Sequence, residues 1–344
     1  MISEVKTKHH VAKWWELTKN GRVLCTLCPR YCELSEGQHG FCFIRKNENN
    51  KLVSIGYGRP TGFAVDPIEK KPLNHFLPGS VILSFGTAGC NLGCKFCQNW
   101  TISKAKLDES NSYYASPTDV VALARRHHTP SIAFTYNDPV IFAEYARDIT
   151  DIAVEEGIHT VFVTAGYVTA SARDEVFKGA SAANIDLKGF TEDFYRKLTG
   201  SSLKDVLDTI VWMKEKTSIW LELTTLLIPG ENDSPDELNK MTKWIVSNLG
   251  ERVPIHFTAF HPDFKMKDRA RTTFATLQTA RDIALSAGMK YVYTGNVHDN
   301  KGQTTYCPEC SSKVIERDWH SVISVNMTGN KCGVCGSEID GVFE

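Results

Sequence analysis

The chain has 344 residues, with 39 Lys and Arg against 40 Asp and Glu, a formal net charge of −1, and 42% hydrophobic residues. That balance excludes a chain-wide basic footprint for nucleic acid, and the length fits one full-sized domain with small additions or two ordinary domains. No stretch reaches about 18 consecutive apolar residues, and residues 1–21 are positively charged without the apolar run of a signal peptide, so neither membrane nor export is expected. The expected location is cytoplasmic, where disulfides rarely persist, and the eleven cysteines therefore point to metal binding.

The cysteines fall into blocks of four, three and four with none left over. The first is Cys25, Cys28, Cys32 and Cys42, with Gly37 and Gly40 before the last. It is less symmetrical than a zinc ribbon and could hold zinc or an auxiliary iron–sulfur cluster, with zinc the first expectation.

A strand–helix alternation follows. Apolar runs predict strands at Val81–Phe85, Ser131–Tyr136, Thr160–Ala165, Ala183–Lys188, Ile219–Ile228 and Val253–Phe260, with a weaker one at Lys290–Thr294. Helices are predicted at Thr118–His127 behind Ser116 and Pro117, Val140–Glu156 ending at Gly157, Leu203–Lys216, Pro235–Leu249, and Thr273–Ala287 ending at Gly288. This order predicts an α/β fold, a partial (βα)6 TIM-like barrel over residues 81–300, with a doubly wound sheet as rival. Residues 1–80 and 301–344 read as small cysteine-stapled appendages.

Cys90, Cys94 and Cys97 lie in the loop after the first predicted barrel strand, at the end where barrels carry their active sites. Three protein ligands leave one position open for chemistry, whereas four close a site. The structural alternative is a zinc knuckle completed by a distant histidine such as His75. Downstream, Asp138 in Thr135-Tyr-Asn-Asp-Pro139 is either a ligand-contacting carboxylate or the cap of the next helix. Gly166 ends the third strand and allows close backbone approach. Asp186 and Lys188 share one strand face, where they could meet a zwitterion or neutralise each other. Glu222 reads as a core carboxylate with a partner, and His256, His261 and Asp263 as possible site-lining groups.

The final block pairs Cys307-Pro-Glu-Cys310 with Cys332-Gly-Val-Cys335, 21 residues apart. This is close to a zinc ribbon, although a rubredoxin-like iron would use the same ligands.

Cys-x3-Cys-x2-Cys with Phe96 before its last cysteine resembles the signature of the radical SAM superfamily. The resemblance implies that Cys90, Cys94 and Cys97 hold a 4Fe-4S cluster whose fourth iron binds S-adenosyl-L-methionine. It further implies reductive cleavage to a 5′-deoxyadenosyl radical that abstracts hydrogen, the work of a radical SAM oxidoreductase. On the family pattern Asp138, Gly166, Asp186 and Lys188 stand where the S-adenosylmethionine would be held. Ala165 departs from that pattern, since similar activating enzymes commonly have asparagine there.

The N-terminal cysteines, Asp66-Pro-Ile-Glu-Lys-Lys-Pro-Leu73, His75-Phe-Leu-Pro-Gly79 and Cys97-Gln-Asn-Trp100 resemble the AmmeMemoRadiSam branch, related to pyruvate formate-lyase activating enzymes. That similarity implies a glycyl-radical or other protein partner and a one-electron donor such as a flavodoxin or ferredoxin. Radical modification of RNA or of a small metabolite is the alternative, and a non-enzymatic zinc-binding adaptor is the contrasting class.

Overall fold

The computed structural model describes residues 9–344, so the first eight residues of the charged N-terminal segment lie outside the described residues. Its central sheet has eight strands. β1 (Thr61–Pro67) runs antiparallel to β2 (Val81–Gly86). From β2 the sheet continues in parallel through β3 (Ser131–Phe134), β4 (His159–Thr164), β5 (Ala182–Asp186), β6 (Trp220–Leu227), β7 (Ile255–Ala259) and β8 (Val292–Gly295), in strict chain order. Among the described residues no ladder joins β8 to β1, so the barrel is open. The expected partial barrel is therefore present, with its weak last strand formed.

The helices are α1 (Pro117–Arg126), α2 (Ala143–Glu155), α3 (Ala170–Phe177), α4 (Leu203–Lys216), α5 (Pro235–Leu249) and α6 (Phe274–Ser286). Ser116 and Asp119 cap α1 reciprocally with Pro117 in its first turn, which is why that start was visible in the residue order. Phe85, Phe134 and Phe162 sit in register on the helix-facing side of β2, β3 and β4. With Phe177 of α3 they form an edge-to-face ladder at 5.0–5.7 Å that seals the helices onto the sheet.

The opposite side of the sheet encloses a segment of the expected N-terminal appendage. Leu73 and Phe76 pack inside the barrel against Ile82, Ala133, Val161 and Ala182. The backbone N–H groups of Asn74 and His75 donate to Glu222 at 3.0 and 2.8 Å. The main sheet thus begins with β1 at Thr61, and residues 71–77 form the barrel floor. Two separated apolar residues that pack inside a barrel leave no periodic signature, hence the misplaced boundary.

The small units flank the barrel at opposite ends. Thr169, in the loop after β4, donates its N–H to Leu27 at 3.0 Å, and Arg30 reaches the Gly200 carbonyl at 2.7 Å, placing the N-terminal cysteine block on the carboxyl rim. The C-terminal strands Lys313–Asp318 and Ser321–Val325 sit beneath the floor, where buried Arg317 donates to the Asn74 carbonyl at 2.6 Å. Among the described residues no helix is long and apolar enough to cross a membrane.

Candidate functional site

A cleft of about 390 Å3 opens at the carboxyl ends of the parallel strands. Its wall includes Cys90, Cys94 and Cys97 with Asp138, Ala165, Asp186 and Lys188, and contains neither a histidine nor a fourth cysteine. Barrel topology explains the convergence, because each βα loop leaves its strand at the same rim.

The loop from Thr87 to Cys97 is held from several sides. Asn137 accepts the Thr87 N–H at 3.2 Å and donates through Nδ2 to the Gly89 carbonyl at 2.8 Å. Gly93 and Lys95 donate N–H bonds to the carbonyls of Thr199 and Leu198 at 2.7 and 2.8 Å. Gly89 has φ of +87°, and a Cβ there would lie 1.9 Å from the Cys42 carbonyl oxygen, so glycine is required by conformation and by space. The Leu92 N–H approaches Cys90 Sγ at 3.4 Å, and Ser103 Oγ lies 3.2 Å from Cys97 Sγ. Burial pushes the Cys90 and Cys94 thiols up to about 11 and about 12, so deprotonation there needs a bound metal's charge.

Asp138 is buried and spends both carboxylate oxygens on protein. It accepts from Val140 N–H and Thr164 Oγ1 on one oxygen and from Ala165 N–H on the other, each at 3.0 Å. Burial raises its pKa above the usual carboxylate range. Capping and tying β3 to β4 therefore account for this residue. Gly166 has φ of +66°, and a side chain there would meet Ile185 and Thr209 at 3.4 Å, so its glycine serves the turn against α4. Asp186 and Lys188 form an ion pair at 2.8 Å while both face the cleft. Burial acts to lower the Lys188 pKa, but the Asp186 carboxylate beside it, joined by Cys94 when that group is a thiolate, outweighs it and the ammonium is held charged.

His75 stands far from the role of a zinc ligand. Its Nδ1 meets the Asp340 carbonyl and its Nε2 the Tyr293 hydroxyl, both at 2.6 Å, and burial lowers its pKa to about 4. Glu222 is fully buried and bonds His256 Nε2 at 2.7 Å, a floor pair one layer below Thr224 and Thr258 of the cleft wall. His256 is thereby removed from the site-lining candidates. Asp263 accepts from Trp100 Nε1 at 3.1 Å.

A family model of the radical SAM superfamily matches residues 85–244, the stretch from the end of β2 through the three cysteines to α5. Over 333 residues the chain is 40% identical to an uncharacterized protein of Methanocaldococcus jannaschii, covering 96% of this chain and 98% of that one. The chain belongs to the radical SAM superfamily. It is also 23% identical to the pyruvate formate-lyase-activating enzyme of Clostridium pasteurianum over 52% of this chain and 80% of the relative. A radical SAM methyltransferase from Sphaerobacter thermophilus shares the fold, with a TM-score of 0.52 at 16% identity over 64% of this chain and 68% of that one. Membership makes this radical SAM protein an enzyme related to activating enzymes and sets aside the zinc-adaptor reading. The superfamily works with an iron–sulfur cluster and S-adenosylmethionine.

Two parts of this radical SAM protein's site were not singled out from residue order. Asn137 sits inside the quoted Thr135–Pro139 motif, but its grip on a loop 50 residues away carries no local signal. Asn91, between the first two cysteines, donates Nδ2 to the Tyr167 carbonyl at 3.0 Å and so ties the loop to the segment that follows β4.

The two four-cysteine blocks differ in geometry. In the C-terminal set Cys307 and Cys335 Sγ lie 3.6 Å apart, and Cys310 and Cys332 Sγ 3.8 Å apart. A tetrahedral ion with bonds of about 2.3 Å holds its sulfurs about 3.8 Å apart, so this set is shaped for one metal ion. Among the described residues it is the one group of three or more His, Cys, Asp or Glu with all ligand atoms within 4.8 Å of each other.

Proposed function

We propose that Cys90, Cys94 and Cys97 hold a 4Fe-4S cluster and that the cleft beside them takes S-adenosylmethionine for reductive cleavage and hydrogen abstraction. The observation carrying this reading is three buried or half-buried thiols converging on one cleft with no fourth cysteine or histidine in its wall. When bound, the cluster would supply one electron to the sulfonium, whose C–S bond would break to give methionine and a 5′-deoxyadenosyl radical. The chain's own residues prepare the place. Asn137 and Asn91 hold the loop, the Leu92 N–H donates toward Cys90, and Asp138 fixes the ends of β3 and β4. The Asp186–Lys188 pair offers a charge of each sign to the amino and carboxylate groups of the methionyl end.

The C-terminal four cysteines hold zinc, consistent with their tetrahedral spacing. The substrate is a protein partner, in keeping with the likeness to activating enzymes, and the electron comes from a flavodoxin or ferredoxin. Anaerobic reconstitution with iron and sulfide, reduction, addition of S-adenosylmethionine and chromatography for 5′-deoxyadenosine tests the reaction. Product that disappears in Cys94→Ala supports it, and product that survives with unchanged iron overturns it.

A further inference from the structure

We propose that Cys25, Cys28, Cys32 and Cys42 ligate a second 4Fe-4S cluster, which relays electrons to the catalytic loop, rather than zinc.

The four thiols surround a small apolar cavity whose wall also includes Leu27, Arg45 and Ile141. Their sulfurs do not share the close packing of the C-terminal set, whose 3.6 and 3.8 Å separations suit one tetrahedral ion. A two-iron cluster also seats pairs of thiolates on one iron at comparable spacing. A cubane places each thiolate on its own corner iron and holds the four further apart, around a core that fills the middle. Thiols spread around a cavity are the arrangement it requires.

Arg45 supplies an independent observation. It is 2% exposed and lines the cavity. Its Nη1 and Nη2 bind Glu144 at 2.9 and 2.8 Å, and Nη2 also reaches the Lys13 carbonyl at 2.8 Å. Its Nε has no hydrogen-bond partner. A buried N–H of a cation left unpaired costs stability, and a sulfide or thiolate of an anionic cluster would satisfy it.

The position gives the role. With all four irons ligated by protein, no corner is open to a substrate, and electron transfer is the remaining chemistry. The block touches the catalytic loop directly, because the Cys42 carbonyl lies against Gly89 and Asn91 lines the same cavity. Phe41, in the cavity wall, and Tyr31 nearby are 43% and 52% exposed, a surface on which a donor protein can dock beside the cluster. One electron enters from a reduced low-potential flavin or iron–sulfur protein and one leaves to the catalytic cluster, with no bond made or broken. The relay role rests on the radical reading above; the cluster itself does not.

Metal analysis of the anaerobically reconstituted full-length chain decides the cluster. The wild type is expected to hold twice the iron of one cubane, with one zinc, and Cys94→Ala is expected to keep half of that iron with its absorption and electron paramagnetic resonance signal. Two zincs per chain, with no iron left in Cys94→Ala, would overturn the proposal even if S-adenosylmethionine cleavage is observed. Cys28→Ser, at a half-buried ligand, should halve the iron and slow reduction of the remaining cluster by a reduced ferredoxin at least tenfold, while dithionite still reduces it. Equal rates with ferredoxin in this variant and wild type would overturn the relay. Should Cys28→Ser fail to fold, the iron retained by Cys94→Ala still decides the cluster.

Discussion

The carbonyl oxygen of Cys42 lies 1.9 Å from where a Cβ on Gly89 would stand, so the N-terminal block and the three-cysteine loop meet backbone to backbone. Gly89→Ala must move one of them and also adopt a left-handed conformation, itself costing about 1–2 kcal/mol. We expect this variant to fold, to lose most of its middle-block iron and to make less than a tenth of the wild-type 5′-deoxyadenosine. Iron content and product chromatography on one sample check both.

Asp138→Ala separates capping from ligand contact. The carboxylate is saturated by Val140, Thr164 and Ala165, so the expected loss is about 1–2 kcal/mol of stability with S-adenosylmethionine affinity unchanged in cluster-loaded protein. Thermal unfolding and equilibrium binding measure the two effects. A drop in affinity without a drop in melting temperature would return Asp138 to the cofactor.

Lys188→Met leaves Asp186 as an uncompensated carboxylate in the cleft wall. Binding of S-adenosylmethionine should weaken at least tenfold, about 1.4 kcal/mol, and the added change Asp186→Asn should restore part of it. Isothermal titration of the single and double variants reads the coupling.

The floor predicts acid sensitivity. His75, lowered to about 4, is neutral when folded but takes a proton near 6.5 when unfolded, so its contribution is complete above pH 6.5 and is lost as pH falls toward 4. Burial alone would raise Glu222, but His256, His75 and the Asn74 N–H together lower it to about 2, and its contribution is lost between about 4.5 and 2. Stability should therefore decline from pH 6.5 downward, and Glu222→Gln should flatten the lower part of the curve. Urea unfolding at a series of pH values tests this.

Cys310→Ser should remove one zinc per chain and loosen the terminal strands while leaving 5′-deoxyadenosine formation within about twofold, because the ribbon lies beneath the floor and the chemistry above it. Zinc analysis paired with the product assay checks it.

Much of the barrel was readable because its parts are local. Leu203–Lys216 and Pro235–Leu249 carry caps and an apolar stripe, and their observed ends coincide with the expected ones. Helix α3 and strand β1 escaped notice: Ala170–Phe177 lacks a side-chain cap, and Thr61–Pro67 is an edge strand with a bulge and little alternation. In the site, cysteine spacing exposed the three thiols directly. Tertiary partners such as Asn137 with Gly89, or His75 with Tyr293, lie 48 and 218 residues apart and have no trace in local order.

The open sheet also sets how the cleft can deform. Its edges, β1 and β8, share no hydrogen bonds among the described residues, while His75 and Tyr293 bind each other at the floor. Lys70 and Lys71 stand in the cleft wall near one edge and Asn296 at the end of the other. The molecule is thus tied at its base by the His75–Tyr293 bond, and a wider mouth between β1 and β8 would break no rung of the described sheet.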